Sequence, residues 1–234
     1  MLRTVWQRLT ALLAAIANWR YFKLVAFVAC AFPAAVLAFK FCQLLLWNQG
    51  DALGVDPIKT LEHETGEDAL AILLATLSVT PVRRIFKINR VQIVRRMLGV
   101  WAFAYAVMHV TVYLVFDRNC YTFGACQYAD VWADILKRRF IFMGMVSFSI
   151  MTLLAITSTG GWVRRLKKKW AMLHRLVYVA GIASVIHFIW IQKADISEPL
   201  NWAFWLSVLL GIRVWFAWQK RQTTRQKLRA GARA

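Results

Sequence analysis

Acidic residues are scarce in this chain: eleven Asp and Glu stand against thirty Lys and Arg, for a formal charge of +19 over 234 residues. Such an excess in a soluble protein would point to nucleic acid. Here the bases flank apolar blocks, and no stacking or groove-reading motif accompanies them, so nucleic-acid binding is set aside. Topology and anionic lipid explain the charge better. Cysteines number four and show no C-x-x-C, C-x-x-C-H or zinc-type spacing. There is also no Gly-rich nucleotide motif, no catalytic triad and no buried carboxylate pair, and the chain has no room for a nicotinamide-binding domain. Any electron donor must therefore be a separate molecule. Histidines are rare, at four, which makes their positions informative.

What is abundant is apolar: 60% of the residues are hydrophobic and the mean hydropathy is +0.50. The excess sits in continuous blocks rather than in period-two alternation, which excludes a β-barrel and indicates an all-α integral membrane bundle. Residues 1–23 carry Leu2, Val5, Trp6, Leu9, Leu12, Leu13 and Ile16 at helical spacing, the pattern of an amphipathic helix lying in the interface. A signal peptide is the competing reading.

Six spans are expected within residues 24–218. The first runs over about 24–47. An acidic segment follows, with a short helix starting at Asp56-Pro57 and reaching about Thr65. The second span then ends at Thr80-Pro81. The others cover about 97–116, 140–159, 170–190 and 200–218. Residues 219–234 form a basic tail without an apolar pattern and are expected to be disordered. The N-terminal segment, the 82–96 loop, the 161–169 loop and the tail are basic and alternate correctly, so both termini are placed in the cytoplasm. Lys137, Arg138 and Arg139 run against this pattern. No internal repeat stands out. Cys120 and Cys126 share one loop and are read either as a disulfide or as two unpaired thiols.

His109 lies 13 residues beyond Arg96 and His187 lies 12 beyond Arg175. At about 1.5 Å per residue these are depths of roughly 20 and 18 Å. Two separate helices thus bring an imidazole to nearly the same level, as a bis-histidine haem requires. An intramembrane histidine is costly and by default functional. His174 sits 13 residues before His187 and, on an ideal helix, about 140° away around the axis. It is left as a lone ligand, an alternative or second-haem ligand, or a contact to another cofactor. His63 is read as a solvated loop histidine.

Four stretches, GVDPIKTLEHETGEDALAILLATLSVTPVRR, RRMLGVWAFAYAVMHVTVYL, AITSTGGWVRRLKKKWAMLHRLVYVAG and IHFIW, resemble the MsrQ (YedZ) family. That family is itself similar to the transmembrane core of ferric reductases and NADPH oxidases. The resemblance covers about residues 50–220. It implies a b-type cytochrome of the bacterial inner membrane, the haem-binding subunit of a methionine sulfoxide reductase system. Electrons from a cytoplasmic flavin reductase or quinol would pass to MsrP, a periplasmic molybdopterin enzyme that reduces oxidised methionine in proteins. It also implies haem b and FMN as cofactors, with the family's histidines falling on His109, His174 and His187. The Cys120/Cys126 loop departs from the family pattern. A quinol-linked or ferric-reducing cytochrome with another partner, or a non-redox membrane subunit, is the alternative.

Overall fold

A computed structural model describes residues 2–47, 53–118, 120, 128–192 and 195–231. Among them there is no strand. The helices are α1 (Leu2–Asn18), α2 (Phe22–Trp47), α3 (Pro57–Phe86), α4 (Gln92–Val112), α5 (Tyr128–Lys137), α6 (Arg139–Ile156), α7 (Gly160–Leu166), α8 (Lys168–Leu173), α9 (Val177–Ile191) and α10 (Ser197–Gly231). Six helical stretches are long and apolar enough to cross a membrane: Phe22–Leu46, Pro57–Phe86, Asn89–Asp117, Arg139–Ile156, Lys168–Ile191 and Ser197–Gln226. Helices suit that role because each backbone polar group finds its partner within the segment.

The bundle is built from two hairpins, α3 against α4 and α6 against α9, with α2 and α10 packed outside them. At its centre Leu73, Ala102, Met151 and Ala180 meet, one residue from each of the four helices. Ala102 and Ala180 are fully enclosed. Small side chains at this crossing let the helices approach closely, which is how helices associate when lipid removes the hydrophobic drive. A second cluster, Leu70, Leu74, Leu77, Val185 and Leu206, seats α10 on α3 and α9.

Two prolines interrupt these helices, and a neighbouring helix compensates for each. Pro81 has no N–H to offer the carbonyl of Leu77, one turn back. Arg213 of α10 donates to that carbonyl through Nη2, while its Nη1 donates to the Tyr178 hydroxyl at 2.6 Å. This explains why α3 runs through Pro81 to Phe86 instead of ending at Thr80-Pro81. It also starts at Pro57 as one 30-residue helix, with no break near Thr65. Its start is capped as expected, the Asp56 side chain accepting from the Lys59 N–H at 3.2 Å. Hydrogen bonds from Lys59 hold the Asp56 carboxyl below its ordinary pKa.

At Pro33 the α2 ladder opens, and the Tyr105 hydroxyl of α4 fills the gap. It donates to the Cys30 carbonyl at 2.7 Å and accepts from the Ala34 N–H at 2.8 Å, the pair that would otherwise bond to each other. Tyr105 is fully buried. Tyr105→Phe leaves both backbone groups unsatisfied, at a cost of about 1–3 kcal/mol for each group stranded in the apolar interior. The expected result is a clear drop in thermal midpoint in detergent. An unchanged midpoint would mean that the hydroxyl bridge is not holding α2.

Three further expectations change. α10 does not stop near Trp218 but continues through the basic tail to Gly231. That tail is rich in Gln, Lys, Arg and Ala, all good helix formers, and the hydroxyls of Thr223 and Thr224 fold back onto the Gln219 and Lys220 carbonyls. The stretch expected as a loop before Arg139 contains α5. Its Asp134 accepts from Arg138 Nε at 2.8 Å and from the Tyr113 hydroxyl at 2.9 Å. Arg138, one of the three bases that ran against the charge pattern, is therefore neutralised locally. The 161–169 loop is likewise folded, into α7 and α8. Cys120 is disulfide-bonded and Cys30 and Cys42 are free; Cys126, the partner considered above, lies outside the described residues.

Candidate cofactor site

The chain brings the rings of His109 and His187 together. Their ring centroids lie 6.1 Å apart with the planes at 83°. His109 projects from the last turn of α4, just before a π-helical stretch, Tyr113–Asp117. His187 projects from α9. Each ring is held by the other helix of its own hairpin. His109 Nδ1 donates to the Glu62 carbonyl of α3 at 2.9 Å, and His187 Nδ1 donates to the Phe140 carbonyl of α6 at 2.6 Å. A carbonyl only accepts, so Nδ1 carries the proton in both rings and the lone pair stands on Nε2. That tautomer is the one a metal needs, and a hydrogen bond at the far nitrogen is the usual means of fixing it.

Both rings are pressed against a glycine. A methyl group placed on Gly66 would come within 3.1 Å of His109 Nδ1, and one on Gly144 within 2.9 Å of His187 Nδ1. Each glycine stands one turn past the carbonyl that accepts from the ring, so that only a hydrogen atom separates the helix from the imidazole. These glycines and carbonyls escaped the sequence reading. A signal for them exists, because the two hydrogen bonds span the same sequence separation, 47 residues. One offset carries Glu62 to Phe140, Gly66 to Gly144, Ala102 to Ala180 and His109 to His187. The α3–α4 and α6–α9 hairpins are thus structural repeats, although their sequences share few other residues.

The spacing fits one metal ion. Metal–nitrogen bonds of about 2.0–2.1 Å on either side of an ion place two imidazole centroids roughly 6.3 Å apart. Two imidazoles on facing helices are donors of the type that could hold a haem iron.

His174 lies apart from this pair, at the other end of α9. It begins a 3₁₀ turn, His174–Leu176. Three residues at 3.0 per turn add about 60° of rotation, which brings His174 to roughly 80° from His187 around the axis instead of 140°. The local distortion that a shared face required is therefore present. The ring stacks on Trp170 at 3.9 Å and its Nδ1 donates to the Trp170 carbonyl at 3.2 Å. Nε2 is buried and makes no close hydrogen bond, though the Leu154 carbonyl lies near the ring. The offset that relates the hairpins maps His174 onto Arg96, so no imidazole of α4 faces it. His63 is on α3 rather than in a loop. It contacts Glu67 and Glu198.

Comparison with known proteins places the chain in a family. The profile of the ferric reductase like transmembrane component matches residues 66–185, a stretch that begins at Gly66 and takes in His109, Gly144 and His174. A protein of Xanthomonas axonopodis pv. citri (strain 306), the protein-methionine-sulfoxide reductase heme-binding subunit MsrQ, is 44% identical over 196 residues, covering 83% of this chain and 86% of its own length. The MsrQ of Xanthomonas oryzae pv. oryzae (strain MAFF 311018) is 42% identical over 201 residues, with 86% and 87% covered. That of Herminiimonas arsenicoxydans is 40% identical over 193 residues, with 81% and 85% covered. This chain belongs to the MsrQ family. The matched core thus covers most of the paired hairpins, while α1, α2, the first turns of α3, the end of α9 with His187, and all of α10 lie outside it.

Proposed function

We propose that this chain is the haem-binding membrane subunit of a methionine sulfoxide reductase system and that His109 and His187 hold a haem b between the two hairpins. The observation that carries this reading is the facing imidazole pair, 6.1 Å between centroids, with both Nδ1 protons tied to carbonyls. Haem b would supply a one-electron redox centre at that place. The chain's own residues do the rest. Glu62 and Phe140 orient the ligands through their carbonyls, Gly66 and Gly144 leave room for the rings, and the apolar walls of α3, α4, α6 and α9 exclude water.

The basic ends of the helices, with Arg83, Arg84, Arg95, Arg96, Arg164 and Arg165, face the cytoplasm under the positive-inside rule. Both termini lie on that side, and α1 lies in the inner-membrane surface with Val5, Trp6, Leu9, Leu12 and Ile16 exposed to lipid. The imidazole pair then sits nearer the periplasmic face. That position suits delivery of electrons to a periplasmic molybdopterin reductase of the MsrP kind, from a cytoplasmic flavin reductase or a quinol. His174, with its buried Nε2, serves as an alternative or second ligand nearer the cytoplasm. FMN, the second cofactor that the resemblance implied, would find charge for its phosphate at that same basic end.

Detergent-purified chain, oxidised and then reduced with dithionite, is expected to show a sharp α-band of b type with haem quantified at one per chain. Two haems per chain would make His174 a ligand. A colourless protein after expression with ample haem would end the electron-transfer reading. Recovery of an MsrP-like molybdopterin protein with the affinity-purified chain tests the partner.

A further inference from the structure

We infer that His63, Glu67 and Glu198 form a binding site for one divalent transition-metal cation, separate from the haem pocket. His63 and Glu67 stand one turn apart on the same face of α3. Glu198 stands in the first turn of α10. His63 Nε2 lies 3.3 Å from Glu198 Oε2, and His63 Nδ1 lies 3.9 Å from Glu67 Oε2. One donor atom from each residue can be chosen such that all lie within 4.8 Å of one another. Bonds of about 2.0–2.1 Å in a tetrahedral ion separate its ligand atoms by roughly 3.4 Å, so small side-chain rotations close this group around a cation.

The charges call for such an ion. Glu67 and Glu198 are also close enough to hydrogen-bond to each other. Two carboxylates at that distance repel unless a proton or a cation stands between them. Among the described residues, no Lys or Arg pairs with either one, and His63 is their only basic neighbour. A divalent ion with a neutral imidazole brings the group to zero net charge. One imidazole and two carboxylates suit zinc, manganese or ferrous iron rather than calcium, which takes oxygen ligands alone. Three protein ligands leave one position for water. The side chains are 36–40% exposed, which leaves a path for the ion to enter.

Its place in the fold gives the ion a structural role. It would tie α3 to the start of α10. His63 follows Glu62, whose carbonyl holds His109, and the His63 ring packs edge-on against Phe188, next to His187, at 5.7 Å. Occupancy therefore steadies the α3 segment whose Glu62 carbonyl orients His109 and, through Phe188, the α9 segment that carries His187.

The test is equilibrium dialysis of the full chain, stripped with chelator, against zinc chloride, with zinc counted by elemental analysis. Monodisperse elution and far-UV dichroism certify the fold, so that failure of the haem reading leaves this test intact. One saturable zinc per chain is expected. His63→Ala, Glu67→Gln and Glu198→Gln should each weaken it by roughly tenfold or more. No saturable zinc, or undiminished binding in every folded variant, would overturn the site.

Discussion

His109→Ala and His187→Ala are each expected to abolish the low-spin b-type spectrum, with haem content falling to a small fraction of the parent level. The two rings face each other from different hairpins, so neither can substitute for the other. Alanine at either position removes one axial donor and opens a gap on that side of the pocket. It also removes the ring's hydrogen bond to the Glu62 or Phe140 carbonyl, which ties the two helices of that hairpin together. Residual binding through the remaining imidazole would be high-spin. His174→Ala is the informative contrast, because its ring lies at the other end of α9, and the b-type spectrum of the facing pair should survive its loss. Normal spectra in both His109→Ala and His187→Ala would refute the assignment.

The second large effect comes from a single methyl group. Gly144→Ala puts a carbon 2.9 Å from His187 Nδ1 and 3.0 Å from Cε1, closer than packed atoms tolerate. The ring has little room to yield, being tied to the Phe140 carbonyl of the same helix at 2.6 Å. Either that bond breaks or the imidazole is driven toward His109. Overpacking of this kind costs about 1–3 kcal/mol, and here the cost falls on ligand geometry. Haem occupancy should drop several-fold, and the remaining α-band should shift and broaden. Gly66→Ala, with its nearest approach at 3.1 Å, should follow with a milder loss. Gly211→Ala is the control: nothing lies within 4 Å of the added carbon, and alanine is the better helix former. Equal haem occupancy in Gly144→Ala and Gly211→Ala would show that the glycine contact does not shape the site.

The spans and the imidazole pair were legible because both depend on residue type. Long apolar runs state their own length, and a histidine inside one is conspicuous. Helix rise alone put His109 and His187 at one level, and their rings meet in the structure. The supports of that pair were hidden for a physical reason. A backbone carbonyl is the same atom in every residue, so nothing in the letters Glu62 or Phe140 announces an acceptor. Gly66 and Gly144 read as ordinary small residues until a ring is seen against each. The repeat was missed because packing at equivalent positions keeps shape and not identity; only a few residues, Ala102 and Ala180 among them, repeat by name. The run of α3 past Pro81 was not legible either, since the residue that completes its ladder, Arg213, is 136 positions away in sequence. His63 was assigned to a loop because its acidic surroundings suggested one, whereas α3 begins six residues earlier.

Because each hairpin carries one ring together with that ring's own support, the two halves of the site are complete separately and are joined where α4 packs on α6 and α3 on α9. A metal bound between them would then register the assembly of the bundle rather than the formation of its helices. If the hairpins parted while staying helical, far-UV dichroism would scarcely change, yet the visible colour would be lost. Such a chromophore is an internal gauge of tertiary contact, readable in intact membranes where most probes of folding cannot be used.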